Sequence, residues 1–145
     1  MKWQIKFIIS LFIIFILDQT IKYIFISGFR FDGDWLSLIL VYNKGVAFSM
    51  FAFLEEYLKY IQLFLLVGIG YYFYKENLLF KYSILSGILF GAGISNLFDR
   101  FIREGVVDYI YYHGLFNFAV FNFADVMIDF SVGMFVLFYI LKKEK

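Results

Sequence analysis

"KFIISLFIIFILDQTIKYIFI", residues 6–26, is a run of mostly apolar side chains long enough to cross a lipid bilayer as one helix. A hydrocarbon core about 30 Å thick needs roughly 20 helical residues. Three further stretches, approximately 57–74, 82–98 and 126–141, have a similar composition. We therefore predict an all-α polytopic membrane protein with four transmembrane helices, which form a single membrane-embedded domain over residues 1–145.

The overall composition also indicates a membrane protein. Of the 145 residues, 63% are apolar and 17% are charged, and the mean hydropathy is +0.80. A soluble domain is about half apolar and about a quarter charged. Cysteine is absent and histidine occurs once, which excludes thiolate nucleophiles and His-rich zinc sites. The net charge of +1, without a basic cluster, predicts no nucleic-acid partner.

The distribution of basic residues predicts the topology. No small-residue cleavage site follows the first stretch, and Asp18, Gln19 and Lys22 lie in its distal third, so we interpret it as an uncleaved span. Four spans place both termini on one side. The positive-inside rule gives most weight to basic residues in short loops and tails, so we expect cytoplasmic termini. The basic residues in these parts are Lys2, Lys6, Lys75, Lys81, Lys142, Lys143 and Lys145.

Two longer segments, roughly 27–56 and 99–125, then lie outside. The first alternates in places ("WLSLILVYN", residues 35–43) and contains several glycines, so short strands or a hairpin are expected there. The second is rich in Phe and Tyr, which favour the bilayer interface. We expect both segments to lie on the membrane surface, the second as a short interfacial segment.

Polar residues cluster near the outer ends of the predicted spans. Asp18 and Lys22 are four residues apart, an arrangement that favours an ion pair on one helical face. The same spacing separates Asn96 from Arg100, and Asp99 from Arg103. A charged side chain within a membrane costs several kcal/mol unless it is paired or hydrated. These groups either join helices to one another or belong to a functional site, and the spacing alone leaves both interpretations open.

Two aspartates in "VVDYIYYHGLFNFAVFNFAD", residues 106–125, favour a site. Asp108 and Asp125 have no basic residue at helical spacing, so helix pairing does not explain them. Two carboxyl groups a few ångströms apart cannot both ionise cheaply, so one keeps its proton and the other acts as a base. Such a pair can activate water against a peptide carbonyl.

Other candidates remain beside this pair. Asp129, one turn deeper in the fourth span, could be the second carboxylate; otherwise we expect it to be buried and neutral or hydrogen-bonded. His113 could orient an aspartate or lie in an interfacial loop. Ser49 with Lys44 or Lys59 could form a serine–lysine dyad, which ranks below the aspartates because Lys44 lies in a segment expected to be hydrated.

Five blocks of this chain resemble, in order, the signature motifs of the bacterial lipoprotein signal peptidases, or signal peptidase II. The blocks run from the first span into the fourth, so the resemblance covers essentially the whole chain. They are "DQTIK" (18–22), "NKGVAFS" (43–49), "SNLFDR" (95–100), "VVDYI" (106–110) and "FNFAD" (121–125).

The resemblance implies an aspartic endopeptidase of the bacterial cytoplasmic (inner) membrane that removes signal peptides from diacylglyceryl-modified prolipoproteins. It implies four helices with a small extracytoplasmic β-cradle, and Asp108 and Asp125 as the catalytic pair near the outer leaflet. We expect a monomer without metal or cofactor, in contact with membrane lipids and its lipid-modified substrate. The implied substrate-binding residues are Asp18, Lys22, Asn43, Gly45, Asn96, Arg100 and Asn122.

The chain departs from the family pattern at a few positions. "GAGISN" has Ala92 and Ser95 where glycines are usual, the proline that often precedes "FN" is missing, and Val126 follows Asp125 where a small polar residue is common. Two other functions remain open. A small proton-coupled transporter would place its acids near mid-bilayer, and a non-catalytic membrane subunit would use its polar groups only to hold helices together.

Overall fold

Helices at all four predicted apolar stretches dominate the fold, and two strands complete it. The computed structural model describes residues 2–45, 52–103 and 105–143. The elements, in chain order, are α1 (Trp3–Ile26), β1 (Leu36–Asn43), a 3₁₀ turn (Ala52–Leu54), α2 (Glu55–Lys75), α3 (Leu78–Lys81), α4 (Ser83–Ile102), β2 (Val106–Tyr112) and α5 (Phe123–Lys143).

Small residues let α4 pack closely against α1 and α2. A β-carbon built on Gly91 would lie 2.5 Å from the carbonyl oxygen of Leu11 on α1. On another face of α4, a β-carbon on Gly93 would lie 2.8 Å from a methyl group of Leu66 on α2. Helices in a bilayer gain little from hydrophobic burial against each other, so close backbone approach of this kind supplies much of their packing energy.

Burial is inverted relative to that of a soluble protein. Asp18, Lys22 and Asp99 are fully buried, whereas Phe12 is 57% exposed and Phe64 is 74% exposed. Lys and Asp are almost never fully buried in soluble proteins unless they are paired. An apolar exterior around a charged interior is the arrangement that a lipid environment stabilises.

Two helices in the described part of the chain, Trp3–Ile26 and Phe123–Lys142, meet criteria of length and composition for crossing a membrane. The predicted helices at 57–74 and 82–98 are confirmed as helices by α2 and α4. That the four long helices, α1, α2, α4 and α5, all cross the bilayer stays a prediction.

The two strands join the outer segments to each other. β1 pairs antiparallel with β2, with Leu36 opposite Tyr112 and Asn43 opposite Val106. A short strand was expected in the first outer segment, and its main partner lies in the second segment rather than in a local hairpin. The register shifts between Leu38 and Val41, as in a β-bulge, which changes the direction of the side chains that follow.

Close contacts fix β2 against the ends of the helices. Gly105 directly precedes β2, and a β-carbon there would lie 2.9 Å from the carbonyl oxygen of Asn43, so only glycine allows this approach. Tyr109 stacks on Phe25 of α1 with ring centroids 4.1 Å apart. Its hydroxyl accepts a hydrogen bond from the backbone N–H of Phe123 at 3.0 Å, which ties β2 to the first turn of α5.

Candidate active site

Asp108 lies on β2 with its carboxyl group buried among hydrogen-bond donors. It is 2% exposed. The side-chain amide of Asn43 donates to one oxygen at 2.8 Å, and that of Asn122 donates to the other at 2.7 Å. Burial, together with the nearby charge of Asp125, raises the pKa of Asp108 to about 7. This carboxyl group therefore can hold a proton near neutral pH.

Asp125 lies in the first turn of α5, where Asn122 fixes it. The Asp125 backbone N–H donates to Oδ1 of Asn122 at 2.9 Å, and the Asn122 backbone N–H donates to Oδ2 of Asp125 at 3.1 Å. This reciprocal pair has the geometry of a capping box, which satisfies two free N–H groups at a helix start. The other carboxylate oxygen accepts from the side-chain amide of Asn96 at 2.8 Å.

Asn122 is therefore the link between the two carboxyl groups. Its side-chain oxygen is occupied by the N–H of Asp125, so its amide nitrogen is the group that faces Asp108. The same nitrogen also donates to Oδ1 of Asn96 at 3.2 Å. Asn122 is fully buried, and one side chain thus sets the positions of both acids.

Both aspartates line one cavity of about 420 Å³. Its polar wall comes from β1, α4, β2 and the start of α5, while most of the apolar wall comes from α2, with Ile128 of α5 beside it. Its lining residues include Asn43, Ile61, Gln62, Leu65, Asn96, Arg100, Asp108, Asp125, Ile128 and Asp129. A cavity of this size with few, convergent polar groups is typical of a binding site.

Behind the polar wall lies a buried ionic cluster, which we define as Asp18, Lys22 and Asp99. The ammonium group of Lys22 lies 2.6 Å from Asp18 and 2.7 Å from Asp99. It also donates to Oδ1 of Asn96 at 2.7 Å, so Asn96 connects the ionic cluster to Asp125. The Ala124 backbone N–H donates to Asp18 at 3.0 Å, which anchors α5 to α1.

Asp99 is held from several sides. Besides Lys22, its carboxylate accepts hydrogen bonds from Arg103, from the side-chain amide of Gln19 at 3.0 Å and from the backbone N–H of Val107 at 3.2 Å. The predicted pairs Asp18–Lys22 and Asp99–Arg103 are both confirmed as ion pairs. A buried carboxylate is tolerated only when its oxygens are satisfied in this way.

Arg100, in the polar wall, contacts Gly45 next to it in the structure. The guanidinium group of Arg100 donates to the carbonyl oxygen of Gly45 and to Oε1 of Gln62, the latter at 3.1 Å. The Gly45 backbone N–H donates to Oδ1 of Asn43 at 3.0 Å, which directs the amide nitrogen of Asn43 towards Asp108. These contacts join β1, α2 and α4 into one support beside the two aspartates.

The structure separates the predicted binding residues into two groups. Asn43, Asn96 and Arg100 line the cavity with the two aspartates, and Gly45 and Asn122 hold those residues from directly behind. Asp18 and Lys22 are fully buried and do not line the cavity. They lie where they can position α5 and Asn96 rather than where a ligand would touch them.

Several residues with a structural part in the site were not selected from the sequence. Gln62 bonds Arg100 and the carbonyl oxygen of Gly93, and Ser95 donates to Asp18 at 2.6 Å. Gln19 bonds Ser95, Asp99 and Arg103. The available signal was weak: each is an uncharged polar residue within an apolar helix, where such side chains tend to face a partner.

The alternative candidates fall elsewhere. His113 lies directly after β2 and its Nε2 is 2.8 Å from Oγ of Ser37, which in turn donates to Asp32 at 2.7 Å, so it joins the strands rather than orienting an aspartate. Ser49 lies outside the described residues. The ammonium group of Lys59 lies 5.4 Å from the ring centroid of Tyr60.

Asp129 differs from the expectation. We predicted a buried or hydrogen-bonded side chain, but Asp129 is exposed on the cavity wall and no hydrogen bond is found for it among the described residues. Its position on α5, one turn after Asp125, turns it towards the cavity rather than into the helix bundle.

In the described part of the chain, no group of three or more acidic or histidine side chains is arranged to hold a metal ion.

Comparison with known proteins assigns the family. The family model described as Signal peptidase (SPase) II matches residues 10–141. A lipoprotein signal peptidase of Sulfurimonas denitrificans is 58% identical over 125 residues, which cover 86% of this chain and 80% of that protein. A lipoprotein signal peptidase of Helicobacter pylori is 50% identical over 135 residues, 92% of this chain and 86% of that protein.

A solved structure, described as a bacterial membrane enzyme, superposes with a TM-score of 0.78 at 25% identity and covers 96% of this chain and 89% of its own. The fold and the sequence thus define a membrane-bound peptidase. The chain belongs to the signal peptidase II family, and the resemblance of its five sequence blocks is confirmed.

Proposed function

We propose that this chain is an aspartic endopeptidase that removes the signal peptide from diacylglyceryl-modified prolipoproteins. The observation that carries the proposal is the sharing of Asn122 by Asp108 and Asp125 at one cavity. The two relatives named above are lipoprotein signal peptidases, which supports a prolipoprotein substrate.

The two carboxyl groups take different roles in this mechanism. Asp108, whose pKa is raised to about 7, holds the proton. Asp125 is the ionised partner, since the start of α5 favours negative charge and the ionic cluster lies one side chain away through Asn96. Because the pair shares one proton, it titrates as a unit.

Hydrolysis then proceeds through a tetrahedral intermediate. Asp125 takes a proton from water, the water oxygen bonds to the scissile carbonyl carbon, and Asp108 donates its proton to the carbonyl oxygen. Collapse of the intermediate returns that proton to Asp108 and breaks the C–N bond, while Asp125 transfers its proton to the departing amine. The products are the free signal peptide and the lipid-modified protein with a new amino terminus.

The remaining cavity residues position the substrate. Asn43, Asn96 and Arg100 line the polar wall around the dyad and would bind the substrate backbone and the polar linkage of its lipid. Fixed orientation of this kind can supply several kcal/mol of the barrier lowering. Asp18 and Lys22, buried behind this wall, keep Asn96 and α5 in place.

The proposed placement in the membrane follows from the helices and the basic residues. All four long helices cross the bacterial inner membrane, both termini are cytoplasmic, and the dyad lies near the outer leaflet. The strands form a small cradle outside, and the substrate enters laterally from the bilayer. Asp108 lies on a strand and Asp125 lies in the first turn of α5, so the pair lies at one end of the helices. A proton-coupled transporter would instead be expected to have acidic residues near the middle of its helices.

A cleavage assay with purified protein tests the function. The chain, in detergent or lipid nanodiscs, is incubated with one prolipoprotein in diacylglyceryl-modified and unmodified forms. We expect cleavage of the modified form only, and none by Asp108→Asn or Asp125→Asn at unchanged unfolding temperature. Asp34→Asn, at an exposed aspartate outside the cavity, serves as the matched control and keeps full activity. Turnover by either dyad variant would exclude the mechanism.

A further inference from the structure

Asp129 is a carboxylate of the cavity that the mechanism does not use. It lies on α5 one helical turn beyond Asp125 and lines the same cavity. Its side chain is exposed, and among the residues that the structure describes nothing donates a hydrogen bond to it. A carboxylate in or near a bilayer is costly without a donor, so its presence needs a reason.

The neighbouring donors of the cavity are already engaged. Arg100 donates to Gln62 and to Gly45. The side-chain amide of Asn96 donates to Asp125, on the side nearer the helix start. The protein itself therefore offers Asp129 no donor from these residues, and a donor would have to come from a molecule that occupies the cavity.

A substrate peptide in an extended conformation would bring N–H donors to the depth of Asp129 along α5. A peptide segment that is not helical has unsatisfied N–H groups, which are expensive in a membrane unless the protein accepts them. Four residues of α-helix rise about 6 Å. An extended chain rises about 3.3 Å per residue, so the same depth corresponds to about two residues of substrate.

We propose that Asp129 binds the substrate by accepting a hydrogen bond from a backbone N–H about two residues before the scissile bond. This inference rests on the proposed function, in which the signal peptide descends into the bilayer on that side of the cleavage point. The wall formed by Ile61, Leu65 and Ile128 beside Asp129 receives the apolar side chains of the same segment.

The test combines backbone methylation of the substrate with substitution of Asp129. Synthetic diacylglyceryl lipopeptides carry an N-methyl group on the second or the third residue before the scissile bond, or on the fifth as the substrate control. They are cleaved by the wild-type chain, by Asp129→Leu and by Asp129→Asn. Val136→Leu, at an exposed position of α5 outside the cavity, is the matched protein control.

Loss of a hydrogen bond to a charged group should lower kcat/KM about 10- to 100-fold. We expect that loss for the wild type when the second or third residue is methylated, and for Asp129→Leu with the unmodified peptide. Methylation should cause no further loss in Asp129→Leu. Asp129→Asn keeps an acceptor oxygen but not the charge, so it should lose less than Asp129→Leu and more than the wild type. Val136→Leu should remain within a fewfold of the wild type.

The inference is overturned if Asp129→Leu cleaves the unmodified peptide as fast as the wild type. It is also overturned if methylation of the peptide lowers kcat/KM of Asp129→Leu by the same factor as that of the wild type. Should Asp129→Leu not fold, the methylation series on the wild type still decides, because insensitivity at both positions contradicts the proposal. Failure of the wild-type chain to cleave any lipopeptide would instead refute the proposed function, so the two failures are distinguishable.

Discussion

Substitution of Asn122 tests whether one buried amide both caps α5 and sets the dyad. Asn122→Ala removes the oxygen that accepts from the Asp125 N–H and the amide that donates to Asp108. Loss of a helix cap costs about 1 kcal/mol. Leaving a buried acceptor unsatisfied costs about 1–3 kcal/mol more. We therefore expect the variant to be about 2–4 kcal/mol less stable than the wild type.

Asn122→Ser separates the two roles. A serine oxygen can cap a helix start but is too short to reach Asp108, so the serine variant should recover about 1 kcal/mol of stability without recovering activity. Both variants should lose at least about 100-fold in kcat/KM, since a displaced catalytic group costs that much.

The pH dependence gives a readout that a purely structural role would not change. The hydrogen bond from Asn122 lowers the pKa of Asp108, so its removal should raise that pKa further above 7. Because Asp108 acts in its protonated form, residual activity of both variants should extend to higher pH than that of the wild type. Unfolding in detergent and the pH profile of kcat/KM measure these effects. Full activity of Asn122→Ser, or an unshifted alkaline limb, would refute the reasoning.

Three further predictions concern the rest of the molecule. Lys22→Met should destabilise the fold by about 3–5 kcal/mol in chemical unfolding, because Asp18 and Asp99 would stay buried without their shared cation. A decrease of less than about 1 kcal/mol in the free energy of unfolding would contradict this account of the ionic cluster. In the wild type, kcat/KM should fall as pH rises through about 7. The contribution of Asp108 to stability, full below its unfolded pKa near 4, should decrease progressively from about pH 4 and be lost once pH has passed about 7. Activity that increases through pH 8 would exclude Asp108 as the acid. Gly91→Ala should lower the unfolding temperature because the new β-carbon would clash with the backbone of Leu11. Gly68→Ala, at a position with open space around it, should leave the unfolding temperature unchanged or raise it. Equal effects of the two substitutions on the unfolding temperature would contradict the close packing of α1 and α4.

The sequence predicted the helices well because hydropathy is a local property. The predicted helix ends were wrong where a helix continues through polar residues. α4 continues to Ile102, beyond the predicted end at residue 98, because Asp99 and Arg103 are satisfied by partners on α1 and by each other. α5 begins at Phe123 rather than at 126 because Asn122 caps it.

The two aspartates of the candidate site were selected from the sequence, but the contacts that hold them in place were not. Scarcity of ionisable groups singled out Asp108 and Asp125, and helical spacing predicted the pair Asp18–Lys22. The contact of Lys22 with Asp99 and the role of Asn96 as a connector depend on how α1 packs against α4, which no local pattern encodes. Asp129 was misjudged because its depth was inferred without the cavity that exposes it.

The most direct test of the central claim is an experimental structure of the chain that resolves the two carboxyl groups of Asp108 and Asp125 and the water between them. One water that bonds both groups requires their nearest oxygens to lie within about 5.5 Å of each other. We expect that separation, with a single water in contact with both carboxyl groups. Carboxyl groups held further apart, both in the free chain and in complex with a non-cleavable lipopeptide, would contradict the account.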